Sequence, residues 1–147
     1  MAKWHGFGRC KTRLSKDIGK SNSAKVQSVM TKHTIAVAKF LQENKLVEIS
    51  MAISGLGEKN CRRWSKELGI KNFNLQGKGC LGEKMKRQII INKNFFTKNN
   101  IKNIIFIGTD LPDLCHLDLI NTLSDLKQND LILGPSNDGG YWLIGIS

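Results

Sequence analysis

The segment from Asn103 to Asp113, Asn-Ile-Ile-Phe-Ile-Gly-Thr-Asp-Leu-Pro-Asp, constrains the fold more than any other in this chain. Its short run of apolar, largely β-branched residues predicts a strand buried on both faces, as in a parallel sheet. The run ends at Gly108, and the carboxylates of Asp110 and Asp113 follow it. Ligands of open α/β sheets bind beyond the carboxyl ends of the strands. The two acids are therefore candidate ligands for a divalent cation, Mg²⁺ or Mn²⁺.

A second interpretation of these polar residues is purely structural. Thr109 or Asp110 could cap a turn or the next helix, and Asp113 could cap a helix that begins near His116. The residues alone do not identify a catalytic base. Asp113 and Asp138 are the acids that we select as candidates for that role.

A short loop near the N-terminus, from Gly6 to Leu14, combines glycines with cations, and we call it the cationic loop. These residues are Gly6, Gly8, Arg9, Lys11 and Arg13. Glycines allow backbone N–H groups to approach an anion, and Lys and Arg supply charge and a bidentate fork. The loop therefore predicts binding of phosphate or pyrophosphate, although it lacks the spacing of a P-loop.

The rest of the chain alternates between strand and helix patterns. Strands are predicted at 47–53, 72–75, 103–107, 130–133 and 141–146, and helices at 23–42, from about 61 to Gly69, from the glycine-rich turn 76–85 to Phe96, and at 116–126. This alternation predicts one three-layer α/β domain with a mostly parallel sheet, spanning residues 1–147. The turn at 76–85 could hold an anion at a helix N-terminus or could be only a tight connection.

Helical spacing of apolar residues predicts which helix faces are buried. In the first helix these residues are Val26, Val29, Met30, Val37, Phe40 and Leu41, and in the third they are Leu81, Met85, Ile89 and Phe96. His33 lies on or near the first stripe, where a packed core histidine is favoured over a ligand or a base. Trp64 is interpreted as a packing residue.

The net charge of +11, from 23 Lys and Arg against 12 Asp and Glu, indicates anionic partners such as nucleic acid, anionic lipid or phosphorylated small molecules. The lysines are scattered along every segment, which favours a basic solvated surface over a nucleic-acid patch. No apolar run approaches the ~20 residues of a membrane-spanning helix. The N-terminus shows no signal-peptide pattern, so we expect a cytoplasmic protein that does not enter membranes. The four cysteines form no C-x-x-C pair and are expected to be free thiols.

Four motifs in order resemble one known family. They are Gly8-x-x-Lys11-Thr12-Arg13-Leu14, Gln76-x-x-Gly79-x-Leu81-Gly82-Glu83-Lys84-Met85, Gly108-Thr109-Asp110-Leu111-Pro112-Asp113-Leu114, and Gly134-Pro135-x-x-Asp138-Gly139-Gly140-Tyr141-Trp142-Leu143-Ile144-Gly145. The chain resembles the DUF2064 family of bacterial glycosyltransferase-like proteins, within the nucleotide-diphospho-sugar transferase (GT-A) superfamily. The resemblance covers essentially the whole chain.

This resemblance implies a Rossmann-like GT-A fold that transfers a sugar from a nucleotide-diphospho-sugar donor to an unknown acceptor, with a divalent metal. It places Asp110 at the metal-binding position and Lys11 and Arg13 at the nucleotide phosphates. Asp138, Gly139 and Gly140 match the loop expected near the sugar or the acceptor. A metal and cations together stabilise the charge that develops on a diphosphate leaving group.

The chain also departs from the family pattern. The opening loop carries Trp4, His5 and Phe7 where the family usually has prolines, and Cys80 replaces the usual acid of the second motif. The family begins with an apolar strand before the cationic loop and continues beyond Ser147, so the domain is expected to be trimmed at both ends.

Two rival functions remain open from the sequence. Lys11-Thr12-Arg13-Leu14 after a glycine loop also resembles guanylyltransferases, which join a nucleoside triphosphate to a phosphorylated acceptor and release pyrophosphate. A basic nucleic-acid-binding module ranks third, because no clustered aromatic and basic surface is evident. The sequence does not specify the donor sugar, the base, the acceptor, the stereochemistry or the oligomeric state.

Overall fold

The structure, a computed structural model, describes residues 1–98 and 100–147. Its elements in chain order are β1 (Ala2–Lys3), α1 (Leu14–Glu43), β2 (Ser50–Ser54), α2 (Glu58–Glu67), β3 (Asn72–Leu75), α3 (Leu81–Lys98), β4 (Ile104–Ile107), α4 (His116–Asp125), β5 (Leu131–Pro135) and β6 (Tyr141–Ile146). The alternation confirms the predicted α/β class. No helix in the described part of the chain combines the length and the apolar character that a membrane crossing requires.

The chain forms two compact units. Unit 1 comprises Met1–Leu75 and Thr109–Leu114, and unit 2 comprises Gln76–Gly108 and Cys115–Ser147. Unit 1 contains a parallel sheet in the order β1-β2-β3, and unit 2 contains an antiparallel sheet in the order β4-β6-β5.

The sheet of unit 1 begins with the first residues of the chain. Ala2 pairs with Ile53 and Lys3 with Ser54, in parallel. Ala2 and Lys3 thus form a short strand beside β2, directly before the cationic loop. Ala2 belongs to the apolar core of unit 1. The buried residues of this core are Ala2, Ile35, Met51, Ile53, Cys61, Trp64 and Ile70.

Helix α1 differs from its prediction in length and in the face that it buries. It begins at Leu14 and bends at Gly19, where φ is 81° and ψ is 161°. Val29 and Phe40, which were assigned to the buried stripe, are 66% and 47% exposed. The buried face instead carries Ser23, Gln27, Thr31, Thr34, Ile35 and Leu41. Apolar spacing failed here because polar side chains with hydrogen-bond partners occupy the buried face.

The sheet of unit 2 corrects the predicted parallel environment of the central strand. β4 pairs antiparallel with β6, and each of its four residues is half-buried. The connection from β5 to β6 explains this arrangement, since residues 136–140 are too few for the crossover that parallel neighbours require. β5 and β6 therefore form a hairpin, and the strand predicted at 130–133 lies at 131–135.

The remaining helices follow their patterns closely. Helix α2 ends before Gly69, whose φ is 66°, and α4 begins at His116 as predicted. Helix α3 buries Met85, but Leu81 is 48% exposed and does not belong to the core. Leu81 is the first residue of that helix.

Candidate functional site

The cationic loop connects β1 to α1 and is held by its own backbone. The N–H of Arg9 donates to the carbonyl of Gly6 at 2.9 Å, and Gly8 has a φ of 66°. The loop thus contains the tight glycine turn that its composition predicted. The cations at its two ends, Arg9 and Arg13, are exposed, and Arg13 is the residue before α1.

Lys11 differs from the other two cations in both backbone and burial. Its φ is 44°, in the left-handed region that non-glycine residues rarely adopt. Its side chain is only 15% exposed, so most of it is removed from water. The charged end of Lys11 has a partner in a distant part of the sequence.

That partner is Asp110. The Nζ atom of Lys11 lies 3.2 Å from Oδ1 of Asp110, and the Asp110 side chain is 60% exposed. Both residues belong to unit 1, because the segment Thr109–Leu114 packs with the N-terminal half of the chain. The structure therefore brings the candidate phosphate-binding cation and the candidate metal-binding acid into contact.

The segment Thr109–Leu114, which we call the acid loop, is fixed to α1 near both ends. The Nε2 atom of Gln27 donates to Oγ1 of Thr109 at 3.4 Å, and Nε2 of His33 lies 2.9 Å from the carbonyl oxygen of Leu114. His33 is thus a half-buried, hydrogen-bonded histidine, as its position on the helix predicted. The sequence analysis did not select Gln27. The spacing of Ser23, Gln27 and Thr31 along one helix face was the signal that could have identified it.

Asp113 is exposed within the acid loop and does not cap α4. The N-cap of α4 is Cys115, whose backbone N–H donates to Oδ2 of Asp118 at 2.8 Å. The structural alternative for Asp113 is therefore wrong. Its carboxylate remains available for another role.

The glycine-rich turn before α3 is satisfied by its own side chains. Glu83 accepts a hydrogen bond from the N–H of Cys80 at 2.7 Å, and this bond lowers the pKa of Glu83. Arg87 donates to the carbonyls of Gln76 and Lys78. Because a carboxylate already sits at the N-terminus of α3, the arrangement favours a tight connection over an anion site.

The loop of the fourth family motif is a hairpin turn in unit 2. Oδ1 of Asp138 accepts hydrogen bonds from the hydroxyl of Ser136 and from the N–H of Gly140, the latter at 3.1 Å. Gly139 has a φ of 82°, which a glycine adopts without strain. Asp138, Gly139 and Gly140 are all exposed. Asp138 therefore shapes the turn, whatever chemistry it also performs.

The acids of unit 1 could provide only part of a metal site. Among residues 1–98 and 100–147, no three His, Cys, Asp or Glu side chains are grouped so that they could hold a metal ion. Asp110 offers one exposed carboxylate, and Asp113 lies three residues further on. Mg²⁺ typically takes one or two carboxylates and completes its shell with water and substrate phosphates. The donor set fits such a shared site and does not fit an all-protein cage.

An aromatic cluster adjoins the cationic loop. The rings of Trp4, His5 and Trp64 contact one another, with centroid distances of 4.1 Å for Trp4–His5, 4.9 Å for Trp4–Trp64 and 5.7 Å for His5–Trp64. The Nδ1 atom of His5 is buried and has no hydrogen-bond partner within the described residues. Desolvation lowers the pKa of His5; Glu67 partly opposes this effect, and the charge of Lys32 adds to it. The neutral form of this imidazole is therefore favoured more than that of a histidine in water.

Among solved structures, one that matches this chain does so along nearly its whole length. It covers 99% of this chain and 60% of the other chain, with a TM-score of 0.75 and 26% sequence identity. That crystal structure is described as a "putative nucleotide-diphospho-sugar transferase from Desulfovibrio desulfuricans G20". The chain thus spans about three fifths of the length of the protein that it matches. Comparison with curated proteins gave no match.

A family model described as "Uncharacterized protein conserved in bacteria (DUF2064)" matches residues 37–147. The matched region includes the acid loop and the hairpin turn, and it excludes the cationic loop. Three of the four motifs quoted above lie within it. This match and the structural similarity confirm the resemblance, and the chain belongs to the DUF2064 family.

Proposed function

We propose that this chain binds a nucleotide-diphospho-sugar together with Mg²⁺ or Mn²⁺ and takes part in moving the sugar to an acceptor. The observation that carries the proposal is the contact between Lys11 and Asp110, 3.2 Å apart. It joins a cation suited to phosphate with a carboxylate suited to a metal, which are the two groups that diphosphate recognition needs. The similarity to a protein described as a nucleotide-diphospho-sugar transferase supports the same class of donor.

The cationic loop would hold the diphosphate. Lys11 and Arg13 supply positive charge, and the turn at Gly6 and Gly8 lets backbone N–H groups approach phosphate oxygens. These groups stabilise the negative charge that develops when the sugar leaves the diphosphate. Preorganised charge of this kind typically accounts for the largest share of catalysis in group transfer.

Asp110 would hold the divalent cation, and Asp113 would offer a second carboxylate from the same acid loop. A divalent cation, when bound, supplies further positive charge to the diphosphate leaving group. In the ligand-free protein Lys11 neutralises Asp110. A diphosphate would offer the Lys11 ammonium a stronger anionic partner and would leave the Asp110 carboxylate to the cation.

Asp113 and Asp138 remain the candidates for activating the acceptor. Each side chain is exposed, so a hydroxyl group of an acceptor could approach it and donate its proton. Asp138 also accepts hydrogen bonds from its own turn, which would fix its orientation.

A thermal-shift panel tests the proposal. Nucleoside diphosphates, their sugar conjugates and nucleoside triphosphates are each added with and without Mn²⁺. A ligand at about 100 times its Kd should add about 2.7 kcal/mol of stability, a readily visible shift for a small domain. We expect metal-dependent stabilisation by one diphosphate and its sugar conjugates. If none of them stabilises the protein, the proposal is wrong for this chain.

A nucleotidyltransferase is the second candidate. The cationic loop carries three cations, Arg9, Lys11 and Arg13, and this charge would also match the longer phosphate chain of a triphosphate. The two reactions differ in their products, since a nucleotidyltransferase releases pyrophosphate and a glycosyltransferase releases a nucleotide. Preference for a triphosphate in the same panel, with pyrophosphate release, would favour this alternative.

A further inference from the structure

Helix α1 contacts the acid loop at two points that enclose both candidate acids. Gln27 binds the hydroxyl of Thr109 just before Asp110, and His33 binds the carbonyl oxygen of Leu114 just after Asp113. The carboxylates between these contacts are exposed. Helix α1 thus holds the first and last residues of the acid loop, while the carboxylates of Asp110 and Asp113 stay exposed.

The contact at Gln27 is built from buried polar groups. Gln27 is 3% exposed and Thr109 is 8% exposed, at positions where apolar side chains are the norm. The same amide nitrogen lies 3.3 Å from Oγ1 of Thr31, so the side chain is held from both directions. A buried amide is costly unless it is hydrogen-bonded, and here the bond is made to the residue next to Asp110.

The contact at His33 fixes the other end. A carbonyl oxygen can only accept a hydrogen bond, so the Nε2 atom of His33 carries the hydrogen. A neutral ring makes this bond as the tautomer that carries its hydrogen on Nε2. The two tethers come from one helix, which holds them at a fixed separation.

We infer that Gln27 and His33 are positioning residues for the candidate cation site. They act through the acid loop by fixing where its carboxylates stand, and neither is assigned a role by the family motifs. Residues that orient metal ligands in this way typically change metal affinity when they are mutated. For metal binding, the inference rests on the proposed role of Asp110.

Hydrogen exchange tests the positioning without any ligand. Gln27→Met removes the amide at nearly constant volume, and Thr34→Val is its control. Thr34 is also a buried polar residue of α1, but its hydroxyl donates to the carbonyl of Met30 in the same helix. We expect faster exchange at residues 109–114 in Gln27→Met and unchanged exchange there in Thr34→Val. Equal exchange in the two variants would overturn the inference.

A second pair of variants separates the hydrogen bond at His33 from packing. His33→Leu removes the donor, while His33→Gln keeps an N–H donor at similar reach. Exchange at residues 109–114 should rise in His33→Leu and return toward the wild-type rate in His33→Gln. If the two variants behave alike, His33 does not position the loop through this bond.

Binding of Mn²⁺, followed by electron paramagnetic resonance with and without inorganic pyrophosphate, connects the loop to the cation. Gln27→Met should weaken Mn²⁺ binding about tenfold, and Thr34→Val should leave it unchanged. If the wild type binds Mn²⁺ and Gln27→Met binds it equally well, the inference is wrong while the proposed function stands. If the wild type binds no Mn²⁺ at all, the metal role of Asp110 is wrong, and hydrogen exchange still decides whether the loop is positioned.

Discussion

The ammonium of Lys11 lies 3.2 Å from the carboxylate of Asp110. Two features of Lys11 cost free energy. Its backbone is left-handed, with a φ of 44°, and its side chain is 15% exposed. Left-handed geometry at a residue with a Cβ costs roughly 1 kcal/mol, and a buried ammonium is tolerated only with a counter-ion. Costs of this kind concentrate at functional sites, where the surroundings impose them.

Replacing Lys11 by Met should weaken diphosphate binding. One charge-assisted hydrogen bond contributes about 1.5–3 kcal/mol, so the Kd of the stabilising diphosphate should rise about tenfold or more. Binding of Mn²⁺ alone should become tighter, because the Asp110 carboxylate is no longer neutralised. Isothermal titration calorimetry measures both quantities.

Lys45→Met is a matched control for this variant. Lys45 is also a lysine with positive φ, at 58°, and it is exposed beyond the end of α1. The Lys45→Met variant should bind diphosphate and Mn²⁺ with the affinities of the wild type. An unchanged diphosphate affinity in Lys11→Met would exclude Lys11 from the phosphate site.

Asp110→Asn should abolish metal-dependent nucleotide binding and also lower stability. It removes the charged partner of the Lys11 ammonium, and since Asp110 itself is 60% exposed we expect a loss of about 1 kcal/mol in the free energy of unfolding. The double variant Lys11→Met/Asp110→Asn should recover that stability without recovering binding. Urea unfolding of the four proteins gives the comparison, and Asp125→Asn, on the exposed side of α4, serves as the control. Metal-dependent binding that survives in Asp110→Asn would contradict the assignment of Asp110.

The sequence predicted the elements of this fold better than the contacts between them. Strand and helix patterns located β3, α4 and β6 within a residue or two, because local spacing and caps determine such elements. The pairing of β4 was wrong, since a half-buried run of four apolar residues has the same pattern in either direction. Only the short connection between β5 and β6 carried that information.

The candidate site shows the same division. Lys11 and Asp110 were selected separately for their chemistry, and no pattern in the sequence indicated that they touch. Gln27 was not selected, because the buried face of α1 is largely polar. The apolar periodicity that identifies the buried face of a helix is therefore weak there. Contacts between residues far apart in sequence require the folded structure.

The unfolding free energy should depend on pH through His5. Burial lowers the pKa of His5 below its usual 6.5, so the unfolded state binds more protons than the folded state in the window between the two pKa values. The free energy of unfolding attributable to His5 therefore rises with pH through that window and is lost as the pH falls through it. His5→Phe keeps a ring beside Trp4 and Trp64 and should flatten this slope.

Urea unfolding at about pH 7.5 and about pH 5.5 measures the effect. Thr34→Val, which changes no titratable group, provides the control and should keep the pH dependence of the wild type. A pH dependence in His5→Phe that equals that of the wild type would show that the imidazole is not desolvated in the folded protein.

Asp138 allows its structural and chemical roles to be separated by two substitutions. Asp138→Ala removes the acceptor of the Ser136 and Gly140 hydrogen bonds and should cost about 1 kcal/mol of stability. Asp138→Asn keeps an acceptor oxygen and should remain within about 0.5 kcal/mol of the wild type. If the carboxylate activates the acceptor, Asp138→Asn should lose about a hundredfold or more in transfer rate at nearly unchanged donor affinity, since general bases typically contribute that much. If the transfer rate instead follows only the stability of the hairpin, it should survive in Asp138→Asn. Asp138 would then be a turn residue only, and Asp113 would be the acid to test next.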